Sequence, residues 1–120
     1  MPLTLTSTSK HLKVFEDQLP TEEKQKFYNS KAWRNVRRLY RGANPLCLRC
    51  ENVFDRVKVA EVVDHIMGFK DLEQAVDFDN LASLCRSCHG YVTMLEKTID
   101  GDIDEIIKLK YYKEENEFDF

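Results

Sequence analysis

Residues Asp79–His89 read DNLASLCRSCH, and the fold turns on how that stretch is read. LASL is a short apolar run of strand length. It runs into Cys85-Arg-Ser-Cys88, and HGYVTMLEKT after it reads as a helix. The order is strand, knuckle, helix. On its own, CxxCH is compatible with three chemistries: attachment of a c-type haem, a redox pair, or half of a zinc site.

The rest of the chain separates them. All four cysteines lie in two CxxC pairs, Cys47/Cys50 and Cys85/Cys88, with 34 residues between the pairs. Two such turns supply the four tetrahedral thiolates that Zn²⁺ prefers. Haem would leave Cys47 and Cys50 unexplained, and no thioredoxin-like βαβ pattern surrounds either pair. The spacing exceeds that of a compact finger, so a sub-domain is looped out between the knuckles. A closed four-sulfur site has no open position for substrate, so the zinc is structural and any chemistry lies elsewhere.

Working outward, Ser30 is a helix N-cap before KAWRNVRRLYR. Trp33, Val36 and Tyr40 form its apolar face, and Gly42 with Asn44-Pro45 is expected to end it. Thr21–Lys26 reads as a short helix after Pro20. Cys47–Cys50 reads as a turn. RVKVAEVVDHI, rich in β-branched residues, predicts one or two strands around Val57–Val63. Leu72–Val76 predicts a helical turn. Asp102 reads as the cap of a last amphipathic helix with Ile103, Ile106, Ile107 and Tyr111 on one face. Residues 1–19 read as a loose arm packing through Leu12, Val14 and Phe15.

The 120 residues suit one small α+β domain, 42% hydrophobic and 32% charged. No run approaches the ~20 apolar residues of a membrane span, and the N-terminus has no signal-peptide pattern, so the expected compartment is the cytoplasm. The net charge of −3 hides segregation. Lys24–Lys58 carries ten Lys and Arg against Glu51 and Asp55, a net of +8, which invites a polyanion. From Glu96 onward nine acids face four lysines, a net of −5, the pattern of a solvated helix and tail.

Near the knuckles lie Asp64-His65, Asn80 and His89. FYNSKAWRNVRRLYR, PLCLRC, VDHI and DNLASLCRSCH together resemble the HNH endonucleases, the small zinc-stapled type of tailed bacteriophages, from about Phe27 to Lys97. The resemblance implies a ββα-metal (His-Me finger) core over 27–98 with the Cys₄ site; outside it lie an arm over 1–26 and a C-terminal helix and acidic tail over 99–120. It implies that Asp64 and His89 bind one catalytic divalent cation (Mg²⁺, Mn²⁺, Ni²⁺ or similar). His65 would be the general base. Asn80 would either orient the loop and base or approach the metal. Thr93 stands where the DNase colicins place a further histidine ligand, so no third protein ligand is carried over.

The basic helix, through Lys31, Arg34, Arg37, Arg38 and Arg41, would hold double-stranded DNA, aided by Arg49, Arg56 and Lys58. Hydrolysis would leave 5′-phosphate and 3′-hydroxyl ends. A monomer working beside phage terminase subunits is one implied setting, with homing and restriction roles open. The competing class is a non-catalytic, zinc-stabilised nucleic-acid-binding module. Taken singly, His65 also reads as a core histidine, His89 as an outer partner of the zinc, Asn80 as a loop cap, and Asp64 and His11 as surface residues.

Overall fold

The computed structural model describes residues 4–5, 18–100 and 102–112. At its centre are two antiparallel strands, β2 (Val62–His65) and β3 (Leu81–Leu84), in register Val62↔Leu84 to His65↔Leu81. Helix α5 (Arg86–Thr98) follows β3 directly. This is the ββα unit expected from the sequence. The remaining helices are α1 (Thr21–Tyr28), α2 (Lys31–Ala43), α3 (Leu48–Phe54), α4 (Leu72–Ala75) and α6 (Ile103–Tyr111). A second small pairing joins β1 (Thr4–Leu5) to β4 (Ile99–Asp100).

Side chains alternate across a strand, and the two faces of the β2–β3 ribbon meet different cores. Val63 and Leu81 face an aromatic cluster of Phe27, Trp33, Tyr40 and Phe69, supplied by α1, α2 and the loop after β2. Ala82 and Leu84 face a second cluster with the four cysteines, Val92 of α5 and Tyr111 of α6. The alternation sends Asp64 and His65 to opposite faces, with His65 on the aromatic side.

Local chemistry sets the helix starts. The Ser30 hydroxyl accepts from the Trp33 N–H at 3.1 Å, and Trp33 and Tyr40 are buried as the helical spacing requires. The Tyr40 hydroxyl donates to the Leu81 carbonyl at 2.8 Å, tying α2 to β3. Asp71 and Asp102 cap α4 and α6 in the same way as Ser30.

Four readings need correction. Gly42 lies inside α2, which ends at Ala43 with Asn44 as its C-cap. The first knuckle opens helix α3, with Cys47 as its N-cap. That helix ends at Asp55, in the left-handed region at φ 54, which aspartate tolerates better than most residues. Residues Val57–Glu61 form no strand: a single bridge pairs Leu46 with Val59, and Val57 and Val59 are 78% and 67% exposed. β-Branched residues there had no sheet face to pack on, so propensity was overridden. Arg49 is buried, with its guanidinium against Cys88 Sγ and the Tyr91 ring, and is not a solvated charge. Leu12, Val14, Phe15 and the tail beyond Tyr112 lie outside the described residues.

Candidate active site

The cysteines organise the site. Cys47 and Cys85 stand at the N-caps of α3 and α5, so each CxxC spans the first turn of a helix. All four Sγ atoms lie within 4.8 Å of one another. Cys50 Sγ is 3.8 Å from Cys85 Sγ and 3.7 Å from Cys88 Sγ. A tetrahedral zinc with bonds of about 2.3 Å needs sulfurs roughly 3.8 Å apart, so donors and spacing both fit Zn²⁺.

Two arginines face the sulfurs. Arg56 Nε is 3.4 Å from Cys50 Sγ, and Arg49 Nη1 is 3.7 Å from Cys88 Sγ. The Arg49 guanidinium also lies over two rings, 4.1 Å from the centroid of Tyr91 and 5.2 Å from that of Phe54. Four thiols in one hole do not ionise alike. Burial pushes Cys88 up to about 12, although Arg49 pulls it the other way. Cys85 comes down to about 7, because the Cys88 N–H and the neighbouring sulfurs outweigh its own burial.

One residue past the second knuckle is His89, whose N–H donates to the Cys85 carbonyl at 2.9 Å. The helix turn that places Cys88 in the quartet therefore also fixes His89. Its Nε2 lies 3.8 Å from Asp64 Oδ1, and the two side chains are 39% and 19% exposed. Two donors about 2.1 Å from one ion lie at most ~4.2 Å apart, so this pair fits a shared cation with solvent-facing positions left over. The oxygen and nitrogen donors suit Mg²⁺, Mn²⁺ or Ni²⁺.

His65 is 9% exposed and held from several sides. Its ring stacks on Trp33 at 5.1 Å between centroids and 23° between planes. Phe69 and Phe27 pack at 4.8 and 6.5 Å. Its Nε2 meets the Ala75 carbonyl at 2.9 Å. A carbonyl only accepts, so Nε2 carries the hydrogen, and in the neutral ring Nδ1 carries the lone pair.

Asn80 serves the loop after β2. Its Oδ1 accepts from the Met67 N–H and its Nδ2 donates to the Met67 carbonyl, each at 3.0 Å. Its own carbonyl accepts from the Ile66 N–H at 2.8 Å. Both amide ends are engaged with Met67, which sits two residues beyond His65.

A family model described as HNH endonuclease matches residues 47–93. The HNH endonuclease of the deep-sea thermophilic bacteriophage GVE2, crystallised with manganese ion, is 33% identical, with a TM-score of 0.58. The match covers 63% of this chain and 84% of the phage protein. The chain belongs to the HNH endonuclease family. No curated protein sequence matches it.

In this HNH endonuclease, the matched segment holds both knuckles, β2, β3 and the start of α5, while α1, α2 and α6 lie outside it. Lys31, Arg34, Arg37, Arg38 and Arg41 of α2 are all exposed, with Arg34 bonded to the Asn29 carbonyl at 2.9 Å and Arg41 to that of Glu61 at 3.2 Å. No described helix is long and apolar enough to cross a membrane. The structure adds contacts that the sequence did not show: Trp33 against the His65 ring, Arg49 and Arg56 at the sulfurs, and a buried lysine, Lys110. Trp33 had a sequence signal in its place on the apolar face of α2, and the two arginines counted only as basic charge.

Proposed function

We propose that this HNH endonuclease hydrolyses DNA phosphodiesters with one divalent cation held by Asp64 and His89, while Cys47, Cys50, Cys85 and Cys88 hold a structural Zn²⁺. The observation that carries the reading is the 3.8 Å approach of Asp64 Oδ1 to His89 Nε2 beside the sulfur quartet. When bound, the cation supplies charge neutralisation at the scissile phosphate and at the leaving 3′-oxygen.

His65 takes a proton from the attacking water at Nδ1, which the Nε2–H bond to Ala75 leaves as the basic nitrogen. The same bond steadies the charge the ring gains. The water oxygen attacks phosphorus, the P–O3′ bond breaks, and the 3′-oxygen takes a proton from solvent. The ends left are 5′-phosphate and 3′-hydroxyl. Asn80 acts as a positioning residue, holding residues 66–67 and through them the end of β2. The basic face of α2 grips the backbone of double-stranded DNA through salt-sensitive contacts.

The phage origin of the structural neighbour supports a phage setting; within it, our reading is a monomer in the host cytoplasm that works with terminase subunits in DNA packaging. A pull-down against a terminase subunit tests that setting. For the activity, purified protein is incubated with supercoiled plasmid and Mg²⁺ or Mn²⁺. Nicking that needs the cation and is lost in Asp64→Asn is expected. Undiminished nicking by that variant, or nicking in excess chelator, would contradict the site.

A further inference from the structure

Lys110 is completely buried, although the sequence gives it the look of a solvated charge on the last helix. A buried ammonium is retained only where it is paired and hydrogen-bonded. Its Nζ lies 2.6 Å from Glu96 Oε2 and donates to the Ile66 carbonyl at 2.6 Å.

The two partners matter because of what else their elements carry. Ile66 directly follows Asp64-His65, and its N–H is already held by the Asn80 carbonyl. Glu96 lies seven residues after His89 on α5, two turns along the same helix face. Lys110 therefore ties the strand end bearing Asp64 to the helix bearing His89, from a third element outside the residues the family model matches. Tyr111, next in sequence, is packed in the cysteine cluster and anchors α6 behind that tie.

We infer that Lys110 of α6, through its bonds to Ile66 and Glu96, is a positioning residue that sets the spacing of Asp64 and His89 and so the affinity of this nuclease for its divalent cation. The inference rests on the assignment of Asp64 and His89 as the cation's ligands. The burial of the group makes the brace stiff, because neither partner can be released without leaving a charge or a carbonyl unpaired.

The test uses the zinc-loaded full chain and Mn²⁺ alone, followed by calorimetry. Replacing both charges, Lys110→Met with Glu96→Met, removes the tie without stranding either charge, an exchange that buried pairs often tolerate. The expected result is unchanged zinc content and Mn²⁺ binding at least tenfold weaker. Nicking should fall at half-saturating Mn²⁺ and largely recover at high Mn²⁺. Lys108→Met, on the exposed side of α6, leaves Mn²⁺ affinity unchanged. A folded double variant that binds Mn²⁺ within twofold of the native protein overturns the inference, since a purely structural brace would shift the melt alone.

Asp64→Asn is titrated in parallel. Native Mn²⁺ affinity there overturns the ligand assignment and this inference with it. Loss there with retention in the double variant overturns the inference only. Should the double variant fail to fold, the native protein answers by NMR. The Lys110 Nζ resonance should move on Mg²⁺ titration with the same midpoint as the His89 ring. A signal unmoved at saturating Mg²⁺ overturns the inference.

Discussion

Cys88 and His89 are adjacent, yet their losses are expected to differ in kind. Four of the eight buried residues in the second core cluster are the cysteines themselves, so that side of the fold is half thiol. Without a metal the polar groups at those sulfurs include one another, the Cys50 N–H and two arginines. Structural zinc sites contribute apparent binding energies of about 10–16 kcal/mol near pH 7. A whole small domain is stable by only about 5–15 kcal/mol. Losing the zinc therefore removes as much as folding has to give. Cys88→Ser is expected to lack stoichiometric zinc and to show no cooperative melt. His89→Ala removes a side chain that is 39% exposed and pairs with the Asp64 carboxylate. Its stability should stay within about 1 kcal/mol of native, with one zinc per chain and nicking largely gone. Zinc content by metal analysis, with circular-dichroism melts, reads both. A His89→Ala protein that loses its zinc, or a Cys88→Ser protein with a native melt, would refute the division between the two residues.

Other expectations follow from particular contacts. Arg49→Met gives up the Cys88 contact and the stack on Tyr91, so stability should fall by about 1–2 kcal/mol and chelators should strip zinc faster. The salt dependence of DNA binding should not change, because Arg49 does not face solvent. Arg37→Ala with Arg38→Ala should do the reverse: a native melt, and a slope of log affinity against log salt reduced by up to ~2. Trp33→Leu opens the aromatic core beside His65 and should cost about 2–3 kcal/mol, with nicking below native even where the protein is folded.

The features legible in the sequence were those with a short-range signature. The CxxC pairs, the Ser30 cap, the Trp33-Val36-Tyr40 stripe and the LASL strand each carry their meaning within about ten residues. What escaped was decided by tertiary neighbours. Val57 and Val59 have strand chemistry but no face to cover, so they ended exposed in a loop. Arg49 counts toward a basic segment, and only the folded knuckle shows that it points at a sulfur. Lys110 sits in IKLKYYK, an ordinary helix end beside an acidic tail, and its partners lie 14 and 44 residues away. No local pattern marks such a residue. The DH pair lay between the two cases. The motif found Asp64 and His65, but strand alternation put them on opposite faces, and only the structure shows His65 held among aromatic rings with its tautomer set by Ala75.

The most direct test of the account is plasmid nicking by His65→Ala at saturating Mn²⁺, with Mn²⁺ affinity measured on the same preparation. If His65 is the base and not a ligand, the rate falls by roughly 10²–10⁴-fold while zinc content and Mn²⁺ affinity stay native. Nicking at the native rate by a folded, zinc-loaded His65→Ala protein would contradict it.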